Sequence, residues 1–425
     1  MAIISIIFFF AAIILAFVRK NNIGVLAMAI GVIAVRIFGL TDKDLIGGIS
    51  VSLFTTLVGI TLLFSIVTNT GALDLLARKI VALAGKRIWL LPILIALTGF
   101  AIVAIGPGGV PVLAIIPPLA VSIAVQVGYN PLMMALIGIT GMLSGRFSPL
   151  TPEGAVIISA VNESGFTGFA NPAIMVNTFL TSVITCVVIF LMFGGHKVKA
   201  PEHLTENKVT ERFNGKQLAA LGGIVLMLVL IIFLGVNIGL AALCVAALLL
   251  TFHVADDSVC IKAMPWNTII MVLCVGALLK IVDTMGGISL MTDALASIMN
   301  SATATPLIGL SAGLLSLVSS ALSVVYPTMM PMCAGLAAQV GGVHTAALMS
   351  AVAAGGALAG TSPMSTGGAL IMGALGSELK DQYTKEYQNK VFVQLLVVSA
   401  VNLVILLVCS ALFYNPIANL LCPMG

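Results

Sequence analysis

SPLTPEGAVI (148–157) recurs two hundred residues later as SPMSTGGALI (362–371), with five of the ten positions identical. Each copy interrupts an apolar segment with hydroxyls, prolines and glycines. A helix that breaks inside a membrane to expose backbone to a ligand has this composition. The pair reads as two halves of one substrate site.

The solvent follows from composition. The 425 residues are 60% hydrophobic and 8% charged, with a mean hydropathy of +1.20, whereas soluble domains carry roughly a quarter charged residues. The chain reads as an all-α polytopic membrane protein. Its net charge of +4 gathers in a few short loops and reports orientation. Basic residues are not interleaved with aromatics in any patch, so nucleic acid is not expected as a partner. Seven cysteines are scattered along apolar spans without a CxxC pair and read as packing residues. The first apolar run is followed, not preceded, by Arg19 and Lys20, as in a retained span rather than a secretory signal.

Outward from the two copies, the halves repeat. In the first, apolar runs cover 2–18, 23–40 and 47–67, and an amphipathic arm with Arg78, Lys79, Lys86 and Arg87 follows. The run 88–127 is interrupted by IGPGGVP (105–111), and a span from 131 breaks at RFSPLTPEG and resumes at 155. A span over 172–193 leads to the polar linker. The second half has spans at 218–235, 238–254 and 267–284, and an arm at 286–300 without a Lys or Arg. Its long apolar run, 305–340, has a polar middle at SSALSVVYP, and the span 344–360 breaks at TSPMSTGG before a last span at 391–414. The boundaries are 1–195 for the first repeat, 196–216 for the linker and 217–425 for the second repeat.

An odd number of crossings per half inverts the second half relative to the first. Two inverted repeats of about five transmembrane helices plus one re-entrant helical hairpin each satisfy this; seven full spans per half would also. Polar hairpin tips favour the re-entrant form, because irregular backbone is tolerated at depth only where it lines a cavity. The basic linker and first arm then face the cytoplasm, and both termini lie outside.

LFTTLVGITLLFSIVTNTGALDLLARKIV (53–81), followed by the Gly-Pro hairpin and SGRFSPLTPEG, resembles the N-terminal domain of bacterial malonate and dicarboxylate carriers. These belong to the ion transporter superfamily, together with the divalent anion/sodium symporters. The resemblance implies a homodimeric elevator-type transporter in the bacterial inner membrane, coupled to sodium (Na+) and carrying a small carboxylate. It implies a scaffold mainly in 1–45 and 217–265, and a transport domain mainly in 88–193 and 301–414. One departure matters. The symporters carry a Ser-Asn-Thr triplet at each hairpin tip, absent here. The closest string, Thr68-Asn69-Thr70, ends the third span, matches Val282-Asp283-Thr284, and reads as a cap for the arm.

Half-helix N-termini suit carboxylates, and carbonyls with Ser or Thr hydroxyls suit sodium. The expected substrate contacts are Gly108, Gly109, Arg146, Ser148, Thr151, Ser320, Ser323, Tyr326, Ser362, Ser365 and Thr366. The expected sodium ligands are Gly106, Ser148, Thr151, Ser319, Ser320, Thr361 and Ser365. Serine and threonine that ease helix packing are the competing reading. Tyr326 is either a donor or an ordinary aromatic. Arg146 and Glu153, ionisable residues at the break, have three open roles: binding a carboxylate, carrying a proton, or pairing. Lys280 and Asp283 read as a snorkelling pair.

HExxH and GxSxG motifs and paired intramembrane aspartates are absent, so an enzyme is not expected, nor a cofactor beyond the coupling ion. A channel fits the broken repeats less well than alternating access. Among transporters the alternatives are a proton-coupled carboxylate carrier, a cation/proton antiporter and the membrane subunit of a binding-protein-dependent system.

Overall fold

A computed structural model describes residues 1–19, 21–85, 87–163, 170–198, 211–318, 321–363 and 365–422. Among the described residues there are helices joined by short turns and no strand. The first half runs α1 (Ala2–Arg19), α2 (Ile23–Phe38), α3 (Asp42–Gly47), α4 (Val51–Asn69), α5 (Ala72–Ala82), α6 (Leu91–Ala104), α7 (Gly109–Leu113), α8 (Ile116–Val127), α9 (Pro131–Gly145), α10 (Pro152–Glu163) and α11 (Asn171–Met192). The second runs α12 (Gly215–Leu234), α13 (Ile238–Thr251), α14 (Asp257–Ala263), α15 (Trp266–Thr284), α16 (Gly287–Ala296), α17 (Ala304–Val318), α18 (Tyr326–Met329), α19 (Met332–Val340), α20 (Thr345–Leu358), α21 (Thr366–Leu379), α22 (Lys385–Cys409) and α23 (Asn415–Leu421). Among the described residues, eight helical stretches are long and apolar enough to cross a membrane. The succession of long, short and broken helices runs alike in α1–α11 and α12–α22, and α23 has no counterpart in the first half.

The halves grip each other through glycines. A Cβ on Gly24 of α2 would lie 2.6 Å from the Met271 Cα of α15, and one on Gly239 of α13 would lie 2.6 Å from the Thr56 Cα of α4. A shift of 215 positions carries Gly24 onto Gly239 and Thr56 onto Met271. The contacts are therefore reciprocal, as in a two-fold relation. Small residues at both crossings let backbones touch where lipid offers no hydrophobic drive for association. The same side chains start the helices. Asn22 and Asn237 accept from the amides of Gly24 (2.8 Å) and Gly239 (2.9 Å), so the triplet Asn-Ile-Gly at 22–24 and 237–239 marks both.

The arms α5 and α16 each begin after a glycine in the left-handed region, Gly71 (φ 72°) and Gly286 (φ 78°). These positions also differ by 215, so Thr68-Asn69-Thr70 corresponds to Asp283-Thr284-Met285, one residue from the expected alignment. The expected cap is partial. Thr70 Oγ1 accepts from the Ala72 amide at 3.4 Å, but Thr68 Oγ1 donates to the Phe64 carbonyl (2.8 Å) and Asn69 Nδ2 to that of Ser65 (2.9 Å).

Candidate functional site

Both predicted breaks are present and are built the same way. α9 ends at Gly145 and α10 starts at Pro152; α20 ends at Leu358 and α21 starts at Thr366. In the first, Thr151 Oγ1 is within hydrogen-bonding distance of the carbonyls of Arg146 (2.5 Å) and Ser148 (2.8 Å) and accepts from the Gly154 amide (2.9 Å). In the second, Ser365 Oγ stands 2.6 Å from the carbonyls of both Gly360 and Ser362 and accepts from the Gly368 amide at 3.2 Å. One hydroxyl thus caps the returning half-helix and holds carbonyls of the preceding turn. The glycine three residues on is required by space. A Cβ on Gly154 would lie 1.9 Å from the Ser148 oxygen, and one on Gly368 2.1 Å from that of Ser362.

The symmetry fails at two positions. Superposing the caps carries Arg146 onto Gly360 and Glu153 onto Gly367. Arg146 Nε lies 3.3 Å from Glu153 Oε1, the carboxylate side chain being 2% exposed and the guanidinium 19%. Glu153 Oε1 also accepts from the Gly109 amide at 2.9 Å, which ties the first break to the hairpin tip. There Gly106 (φ 139°) and Gly108 (φ 77°) take backbone conformations that other residues avoid. Glu153 Oε2 is buried without a hydrogen-bond partner among the described residues, and such a group is costly unless something else occupies it. A Cβ on Gly109 would lie 2.8 Å from Arg146 Nε and 2.9 Å from Glu153 Oε1. Gly109→Ala is therefore expected to separate the pair and lower transport at least about tenfold, checked by uptake normalised to the amount of folded protein.

The two breaks face a common cavity of about 520 Å3, lined by Arg146 and Glu153 from one side and Gly360, Thr361, Ser365 and Thr366 from the other. Val110 of the first hairpin and Ala321 and Leu322 of the second close it. A smaller cavity of about 230 Å3 lies beyond the first tip, lined by Gly108, Gly109, Glu153, Thr68 and Asn69. Glu153 is common to both.

The other expected site residues stand behind these walls. Ser148, Ser362 and Ser323 are buried; Ser148 Oγ accepts weakly from the Leu150 amide at 3.4 Å. Tyr326 is fully buried, its hydroxyl donating to the Ala353 carbonyl at 3.2 Å, and its ring meets Phe147 edge-on. Ser319 and Ser320 lie outside the described residues. Three residues escaped the sequence reading. Thr140 lines the larger cavity and its hydroxyl has no partner among the described residues. Thr268 lines both cavities. Asn402, wholly buried in α22, donates to Thr361 Oγ1 at 3.0 Å and keeps its Oδ1 unpartnered among the described residues. Thr140 and Asn402 lie inside apolar spans that give them no local signal, and Thr268, after Asn267, reads as the polar start of a span. Among the described residues no group of His, Cys, Asp and Glu could hold a transition metal.

An interior cavity bounded by two broken helices is the architecture in which transporters hold their substrates. Two solved transporters share the fold: YdaH of Alcanivorax borkumensis, with 13% identity, a TM-score of 0.59 and 87% of each chain covered, and MtrF of Neisseria gonorrhoeae, with 12% identity, a TM-score of 0.57, and 90% of this chain and 84% of that one covered. MtrF is described within a class of antimetabolite efflux pumps. No curated protein matches the sequence. The chain belongs to the citrate transporter family CitMHS, whose profile matches residues 10–355. The resemblance to malonate and dicarboxylate carriers is thus met at the level of the ion transporter superfamily.

Proposed function

We propose that the chain is a cation-coupled secondary carrier of a small di- or tricarboxylate in the bacterial inner membrane, with the substrate held between the two breaks. The observation that carries this is the pairing, across one cavity, of the Arg146 guanidinium with the N-terminus of α21 and the exposed Thr366 that opens it. Arg146 provides a planar donor for one carboxylate. The first amides of α21 and the positive end of its dipole suit another. The family description points to citrate as the first compound to test.

Carrying such an anion into a cell against an inside-negative potential costs about 2.3 kcal/mol per charge per 100 mV, so cations accompany it. Sodium is the first reading, with the carbonyls and hydroxyls around Thr361 and Ser365 as oxygen ligands. Proton coupling through Glu153 is the second, favoured by its unpartnered, buried Oε2. Uptake into proteoliposomes at fixed pH is expected to need an inward sodium gradient. Equal uptake driven by a proton gradient without sodium transfers the role to Glu153. A thermal-shift panel of C3 to C6 mono-, di- and tricarboxylates, with and without sodium, reads substrate and ion together, since stabilisation follows ligand concentration over its dissociation constant.

The transport cycle is an elevator of the 88–193 and 301–414 domain against a scaffold of 1–45 and 217–265. The reciprocal contacts of Gly24 and Gly239, and a basic first arm against a second arm without Lys or Arg, support halves of opposite orientation. Helix α6 has 14 residues and α17 has 15; at 1.5 Å per residue each spans about 21–23 Å, short of the roughly 30 Å hydrocarbon core, which supports a re-entrant first limb in each hairpin, while the second limbs at 109–127 and 321–340 are long enough to cross. Assembly as a homodimer rests on the superfamily resemblance.

A further inference from the structure

We propose that Lys280 captures the anionic substrate at the mouth of a third cavity, exchanging its contact with Asp283 for one with a substrate carboxylate. This rests on the carboxylate reading above. The third cavity, of about 540 Å3, lies between the end of α15, the arm α16 and the turn of the second hairpin at Pro327 and Pro331. It is the counterpart of the 230 Å3 cavity under the repeat. The shift of 215 positions carries Leu57, Thr61, Ser65 and Thr68 of the smaller cavity onto Val272, Gly276, Lys280 and Asp283 of the larger.

The duplicated positions keep their place and change their chemistry. Where the smaller cavity presents Ser65 and Thr68, the larger presents an ammonium and a carboxylate. Across the three cavities the basic lining residues are Arg146 and Lys280, and Arg146 is at the substrate cavity itself. If the arm α16 faces outward, as its lack of Lys and Arg implies, Lys280 is the first cation that an incoming anion meets on the cavity wall.

The state of Lys280 suits capture rather than structure. Its Nζ lies 3.7 Å from Asp283 Oδ2, beyond hydrogen-bonding distance, and the side chains are 61% and 49% exposed. Exposed pairs of this kind are weak, so a substrate with two or three carboxylates displaces Asp283 readily. The other charged group near this wall, Asp293 of α16, accepts from Gln339 Nε2 at 2.7 Å and is engaged with the hairpin helix α19. A cation at the mouth of a low-dielectric cleft raises the local anion concentration and the rate of encounter, and salt screens the effect.

The test is uptake of a tricarboxylate and a dicarboxylate by intact cells at several ionic strengths. Lys280→Gln is expected to raise KM about three- to tenfold at low salt, leave the maximal rate within about twofold, and flatten the dependence of KM on salt. Lys280→Arg keeps wild-type behaviour, and Asp283→Asn, which frees the ammonium, lowers KM. A Lys280→Gln protein with wild-type KM and wild-type salt dependence overturns the inference while leaving the carboxylate reading intact. Absence of carboxylate uptake by the wild-type chain overturns both.

Discussion

Arg146→Gln is expected to abolish uptake and to destabilise the protein by about 3–5 kcal/mol, the cost of leaving a buried charge without its partner. Glu153 is 1% exposed as a residue, its Oε1 is shared between Arg146 and the Gly109 amide, and its Oε2 already lacks a partner among the described residues. Removing the guanidinium leaves one amide to hold a carboxylate inside the membrane. Thermal unfolding in detergent checks the stability and proteoliposome uptake the activity. Glu153→Gln separates the roles left open by the sequence. A glutamine oxygen still accepts from Gly109, and the unpaired Arg146, 19% exposed and on the cavity wall, costs less than an unpaired Glu153, so the fold survives at reduced stability. Full uptake by this variant reduces Glu153 to a structural counter-ion, whereas loss of uptake with retained substrate binding assigns it to coupling. The double variant Arg146→Gln with Glu153→Gln is expected to recover much of the stability and none of the transport, because a buried pair replaced on both sides leaves no unmatched charge.

The second large effect is predicted for Gly154→Ala and Gly368→Ala. The added methyl would meet the carbonyl oxygens of Ser148 at 1.9 Å and Ser362 at 2.1 Å. Both obstacles are backbone within the break itself, so no side chain can rotate away and the cap hydrogen bonds of Thr151 and Ser365 must open. Each variant is expected to lose about 3 kcal/mol or more and at least nine-tenths of uptake, by the same amount in the two halves. Gly373→Ala supplies the control within the same helix. A Cβ there meets nothing within 4 Å, so a loss of helix flexibility alone makes it neutral or stabilising by up to about 1 kcal/mol. Equal damage from Gly373→Ala would show that α21 tolerates no rigidification and that the steric account of Gly368 is wrong.

Much of the site was legible because its signals are local. A proline, a hydroxyl and a glycine at fixed spacing specify a capped half-helix whatever surrounds it, and that spacing is in both copies. Arg146 and Glu153 stood out because charge is rare in an apolar chain, and pairing was one of three open roles. The arm positions were clear from amphipathic periodicity, though a one-residue shift in the second copy hid that Asp283 corresponds to Thr68. The Asn-Ile-Gly triplets at 22–24 and 237–239 were equally visible. Their meaning was not, because a glycine that lets two backbones touch looks in sequence like any other glycine.

Composition alone determined the solvent, and continuous apolar runs of about twenty residues, in place of the alternating pattern of barrel strands, determined the helical class. The duplication and the chemistry of the two breaks were likewise in the string of residues. The tertiary structure decided which hydroxyls face the cavity and which are engaged behind it: Thr366 in front, Thr361, Tyr326 and Ser148 behind. It also brought in Thr140, Thr268 and Asn402, and set Lys280 at a cavity mouth. These are matters of which helix crosses which. Such crossings depend on contacts between residues up to two hundred positions apart, and no periodicity within a segment encodes them.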